Sequence, residues 1–189
     1  MTVRFGNRLL RAIAAPPARV PTSRVSAAGA AAALAIVASA ASLFRTPAPL
    51  LLWNASSSSP IGLYAVGPAE RTEVGDIVVA WPPGDARRLA AARRYLPANV
   101  PLVKRVAAVS GARVCGKGAA ITIDGLPAAL RRRSDGSGRP LPWWSGCTVL
   151  KKGDLFLLSP HTPAAFDGRY FGPTRRRDII GKAKLLWAD

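Results

Sequence analysis

No charged residue occurs between Arg24 and Arg45, and that gap divides the chain into two parts with different physical constraints. The 20 intervening residues read V-S-A-A-G-A-A-A-A-L-A-I-V-A-S-A-A-S-L-F. As a helix they would span about 30 Å, the thickness of a hydrocarbon core. Five arginines precede the gap (Arg4, Arg8, Arg11, Arg19, Arg24) and only Arg45 follows closely. The positive-inside bias therefore predicts a basic cytoplasmic segment over 1–24, a transmembrane anchor or removable signal over 25–45, and an exported domain over 46–189. Half of the gap is alanine, and Ala38-Ser39-Ala40 offers a small-residue cleavage site. P-L-L-L-W at 49–53 adds apolar surface with an interfacial Trp and favours a retained anchor.

The formal charge is +17, with dense runs at Arg131, Arg132, Arg133 and at Arg175, Arg176, Arg177. Such a balance suits nucleic acid, an anionic membrane or an acidic polypeptide. The arginine runs lack interleaved aromatics and fall in expected loops, so they read as a solvated face turned to membrane or substrate, and no nucleic acid is expected. Cys115 and Cys147 have no metal-ligand spacing and the chain holds a single histidine, His161, so neither metal nor cofactor is expected. In an exported domain the two cysteines are expected to form one disulfide, with two unpaired buried thiols as the alternative.

Beyond Ser56 the pattern is one of short strands. Strands are expected at 61–66, 75–81, 101–109, 155–159 and 179–187, and a hairpin around Gly116-Lys117-Gly118. A-R-R-L-A-A-A-R-R-Y-L (86–96) has helical composition ended by Pro97, and 131–142 reads as an exposed basic loop. The fold class is mainly β, in one exported domain.

Two catalytic chemistries fit such a domain. A Ser–His–Asp triad would have to use His161, with Asp167. A Ser–Lys pair needs a lysine kept neutral by burial. Of six lysines, only Lys104 lies inside an apolar strand, P-L-V-K-R-V-A-A-V. Strand alternation puts it on one face with Leu102, Val106 and Ala108; the alternative is an edge strand that leaves Lys104 and Arg105 solvated.

Three segments then occur in order: S-x-P-x-G-L-Y at 58–64, L-V-K-R-V-A-A at 102–108, and F-D-G-R-Y-F-G-P at 166–173. Together they resemble the Ser–Lys signal peptidases, and more narrowly their TraF-type branch from conjugative transfer systems. The resemblance extends from Trp53 to Trp187 and implies a signal-peptidase-like β domain behind an N-terminal transmembrane helix. It implies Ser58 as nucleophile, two residues before Pro60, with Ser59 the choice only if the register slips by one. It further implies Lys104 as general base, Ser56 as a hydroxyl supporting the oxyanion, Asp167 as a functional acid, and Arg169 as its ion-pair partner. The implied substrate is an exported pilin or other preprotein, processed at the inner membrane on the periplasmic side, in some family members with closure of the pilin into a ring. One departure is visible: family members carry a serine two residues before the Asp, hydrogen-bonded to the lysine, where this chain has Ala165. Thr162 or Ser159 takes that place, or Lys104 is oriented without it. The rival classes are a general type I signal peptidase and a non-enzymatic, basic, membrane-anchored transfer or assembly protein.

Overall fold

Most of the uncharged gap lies in one helix, α1 (Thr22–Leu43). Among the described residues no helix is long and apolar enough to cross a membrane. The computed structural model describes residues 22–43 and 50–189; the expectations for 1–21 and 44–49 lie outside them. The chain divides into two units, Met1–Pro47 and Ala48–Asp189.

The second unit is mainly β. Its strands are β1 (Leu51–Asn54), β2 (Gly62–Gly67), β3 (Ile77–Ala80), β4 (Leu102–Ala108), β5 (Arg113–Lys117), β6 (Ala120–Ile123), β7 (Leu126–Leu130), β8 (Gly146–Val149), β9 (Phe156–Leu158) and β10 (Ile179–Ala188). They make a six-stranded sheet in the order β1-β2-β10-β3-β4-β9 and a four-stranded sheet in the order β7-β6-β5-β8. All named pairings are antiparallel.

Strand β4 holds the domain together because its side chains enter three apolar clusters. Val103 packs with Tyr64, Val66, Val79 and Ala183 on one face. Val106 packs with Val78, Ala80, Leu155 and Leu157 on the other. Ala108, at the strand's end, joins Val114, Ile121, Leu150, Phe156 and Leu158, which link the two sheets. Full burial of each Val or Leu contributes on the order of 1.5–3 kcal/mol. The edge-strand alternative for 101–109 is thus excluded, since β4 pairs with β3 on one side and β9 on the other.

Three elements depart from the sequence reading. Leu51–Asn54, read as apolar surface beside an anchor, is the edge strand β1 paired to β2. Leu126–Leu130 is strand β7, hidden in the sequence by Pro127; an edge strand tolerates a proline because one side of its backbone has no ladder to complete. The helix expected over 86–96 runs instead as α2 (Gly84–Ala92), and the chain breaks at Arg94, whose φ is 59°, well before Pro97. This early stop frees Tyr95 and Leu96 to line the cleft described below.

Gly62 explains one letter of the P-I-G-L-Y stretch. Its φ is 151°, and a Cβ there would overlap the carbonyl oxygen of Trp187, so only glycine lets β2 approach β10 at this point. In the smaller sheet, Asp124 and Gly125 both take positive φ (49° and 82°) to turn β6 into β7. Cys115 and Cys147 stand opposite each other on β5 and β8 and form the expected disulfide.

That bond closes a long loop, with a sequence separation of 32. The double variant Cys115→Ala/Cys147→Ala is expected to lose about 3–4 kcal/mol in the chain-entropy picture, read as a lower urea midpoint with the far-ultraviolet circular dichroism of the folded state retained.

Candidate active site

The serine run is shaped by an asparagine at the end of β1. The Asn54 carboxamide nitrogen donates to the carbonyls of Ser56 (2.9 Å), Ser59 (3.1 Å) and Pro60 (2.9 Å), while its oxygen accepts from the Ser56 N–H (3.1 Å). Tyr64, fully buried, donates its hydroxyl to the Pro60 carbonyl at 2.7 Å. Ser59 donates to the Val103 carbonyl at 2.9 Å and so stitches the loop onto β4. Thr162 holds the Ser57 carbonyl from the opposite side at 3.4 Å.

With Ser59 committed to β4, Ser58 is the serine that faces Lys104: the Oγ and Nζ atoms lie 2.5 Å apart. Ser56 Oγ is 2.9 Å from Ser58 Oγ and also accepts the Ser58 N–H at 3.3 Å. Lys104 is 3% exposed. Burial pushes its pKa down to about 8, with Asp167 pulling it up and Arg169 pulling it down. A lysine in this state supplies an appreciable neutral fraction near neutral pH, which a solvated one does not.

Asp167 and Arg169 form the expected ion pair, and both are buried. Asp167 caps the short helix α3 (Gly168–Phe171), accepting the Arg169 N–H at 3.1 Å and Nε at 2.8 Å on one oxygen. Its other oxygen accepts from the Ser159 N–H at 2.9 Å and from Arg169 at 3.1 Å. Arg169 reaches on to the carbonyls of Ser159 (3.0 Å) and Pro163 (3.1 Å). Burial raises the Asp167 pKa, against the pull of Arg169 and the two backbone N–H groups. Asp167 therefore makes no hydrogen bond to Ser58 or Lys104; it fixes the 159–167 loop and acts on Lys104 only through its field. Gly168 belongs to the same construction, since a Cβ there would press on the Leu157 carbonyl and the Phe156 ring.

Ala165 is buried where family members carry a hydroxyl. Thr162 is turned to Ser57 instead. Ser159 is 2% exposed and its hydroxyl has no hydrogen-bond partner. The Arg105↔Leu158 pairing places Ser159 one step further along, opposite Lys104. His161 is exposed and bonds neither Ser58 nor Asp167 among the described residues, so the geometry of a triad is absent there.

A cavity of about 790 Å³ opens beside Ser58 and Lys104. It runs along the end of β1 (Leu52, Asn54) and the start of β4 (Leu102), and is walled by Tyr95, Phe166 and Tyr170. The 131–141 loop is knotted to this wall through Asp135, which accepts from the Tyr95 hydroxyl and from Arg139 Nε (2.7 Å) and lies 3.8 Å from Arg93. Neither Asn54 nor this knot was singled out in the sequence. An Asn followed by small residues at a strand end is the local signal for the first; the second joins residues 40 apart, and no local pattern marks it.

The match to the family described as "Signal peptidase, peptidase S26" covers residues 23–188, and the chain belongs to that family of peptidases. Among curated relatives, a probable conjugal transfer protein TraF from Sinorhizobium fredii (strain NBRC 101917 / NGR234) is 37% identical over 141 residues, 69% of this chain and 73% of that protein. A plasmid transfer protein TraF from Escherichia coli is 36% identical over 137 residues, 67% of this chain and 77% of that one. A conjugal transfer protein TraF from Agrobacterium fabrum (strain C58 / ATCC 33970) is 35% identical over 144 residues, 71% of this chain and 80% of that one. Among solved structures, a signal peptidase I from Enterococcus faecalis V583 matches with a TM-score of 0.34 and 17% identity, over 62% of this chain and 97% of that one.

The buried lysine sets a sign for stability. Its pKa of about 8 lies below the ordinary 10.5, so between these values the unfolded chain holds more protons and stability rises with pH. Below about 8 the penalty is fully present. Lys104→Met is expected to stabilise the fold at pH 7 by about 3 kcal/mol, and the gain should shrink toward pH 10.5, as measured by urea denaturation across that range.

Proposed function

We propose that this chain is a serine endopeptidase that uses a Ser58–Lys104 dyad to process an exported precursor, a pilin subunit of a conjugative transfer system. The observation that carries the mechanism is the 2.5 Å approach of Ser58 Oγ to a lysine whose pKa is lowered by burial. Neutral Lys104 takes the Ser58 proton as Oγ attacks the scissile carbonyl, and the resulting ammonium returns a proton to the departing amine. Negative charge on the tetrahedral oxygen is met by the Ser58 N–H and the Ser56 hydroxyl, which hold each other in the free protein and turn to the oxyanion when substrate arrives. Water then attacks the Ser58 ester; an amine of the pilin itself, attacking in its place, would close the chain into a ring. Asp167 and Arg169 serve as positioning residues for the loop behind the lysine.

The TraF names of the relatives, all attached to conjugal or plasmid transfer, support the conjugative substrate. A disulfide in the second unit supports a location outside the cytoplasm, with 25–45 as the segment that directs export and tethers the protein to the inner membrane. The basic surface then faces anionic lipid or substrate, with no nucleic acid as partner.

Co-expression with candidate pilin precursors, read by intact mass, tests the proposal. Wild type should shorten the precursor, with a product one water lighter if a ring is formed, and Ser58→Ala and Lys104→Ala should both abolish the change. Ser59→Ala should leave cleavage within about tenfold of wild type, since its hydroxyl anchors the loop and does not attack. An identical mass pattern in wild type and in both knock-outs would sink the peptidase reading. With a cleaved substrate in hand, the rate should rise with pH through about 8 as Lys104 loses its proton.

A further inference from the structure

The serine loop has a second opening on its other side. A smaller cavity of about 440 Å³ is lined by Ser57, Ser58, Ile61, Arg105, His161 and Asp189, and Ser57, Ser58 and Thr162 line both cavities. Its volume falls in the ~300–1,000 Å³ range of small-ligand sites. The mechanism above assigns nothing to it.

The two cavities differ in what they offer a peptide. The larger one follows the free ends of β1 and β4 and holds Lys104, so an extended segment can lie along strand backbone there and be read over several positions. The smaller one is short and carries Arg105 and His161 with a single acid, Asp189. Strand alternation turns Arg105 to the opposite face of β4 from Lys104, so its charge enters this cavity and not the larger one. One guanidinium nitrogen is held by the Gly75 carbonyl at 2.6 Å, which fixes the head and leaves further N–H donors. A fixed, exposed guanidinium is suited to a carboxylate.

Resting on the peptidase reading, we propose that the smaller cavity is the subsite for the residues that follow the scissile bond, and that Arg105 selects an acidic leaving segment there. A peptide crossing Ser58 then has its acyl side in the large cleft and its departing amine at the mouth of the small one. Acidic residues on the departing segment are held at Arg105.

Two internally quenched peptides test this with the full-length protein. Both share an Ala-Ser-Ala acyl side and differ only in the next two residues, Asp-Glu in one and Lys-Lys in the other. Wild type should favour the acidic peptide in kcat/KM by roughly three- to tenfold. Arg105→Glu should abolish or invert that preference. Arg113→Glu makes the same charge change at an exposed position of β5, away from both cavities, and should keep it. Equal kcat/KM for the two peptides in wild type, or equal erosion by Arg105→Glu and Arg113→Glu, would overturn the subsite while leaving the peptidase intact. Cleavage of neither peptide would overturn both.

Discussion

A lysine buried in a central strand is the constraint around which this domain is organised. Desolvating an ammonium is costly, and a nearby carboxylate would ordinarily offset the cost while holding the lysine protonated. Here the one such carboxylate, Asp167, is already matched by Arg169, whose own charge opposes protonation of Lys104. The two charges oppose each other at the lysine, and burial decides the outcome. Removing Arg169 alone would therefore do more than break a salt bridge. It would leave Asp167 unopposed and draw Lys104 back toward its charged form.

Keeping that lysine dry requires β4 to be packed on both faces and paired on both edges. Its three apolar clusters meet the first requirement, and β3 and β9 meet the second. The serine is brought to the lysine by a separate device. Asn54 holds the backbone of Ser56, Ser59 and Pro60, Tyr64 holds the Pro60 carbonyl, and the Ser59 hydroxyl is tied to β4, leaving the Ser58 hydroxyl turned to Lys104. Loop and strand thus meet at two points, the Ser59 hydroxyl on the Val103 carbonyl and Ser58 on Lys104.

Much of this was legible in the chain. Val, Ile and Leu runs bounded by Gly and Pro marked the strands that bury side chains, and Lys104 stood out as the single lysine inside such a run. The disulfide followed from two cysteines without metal spacing. What escaped was whatever depends on partners distant in sequence or on strand edges. The edge strands β1 and β7 carry weak or broken apolar patterns because only one side of each is paired. The 25–45 segment has the charge pattern of an anchor, and part of it lies outside the described residues. Asp167 illustrates a different limit: sequence named the residue, and only the folded structure shows that it bonds Ser159 and Arg169 and neither Ser58 nor Lys104.

The Asp135 knot joins a turn that leads into β4 to a loop carried by the four-stranded sheet. The large cleft is consequently enclosed by parts of the chain carried by both sheets, and the Ser58–Lys104 contact belongs to the larger one. A partial opening of the smaller sheet would strip a wall from the cleft, while the bonds that bring Ser58 to Lys104 lie in the larger sheet and its loops. On the proposed Ser58–Lys104 mechanism, such a state would lose its grip on extended substrates sooner than its reacting pair, which separates the durability of catalysis from the durability of selectivity.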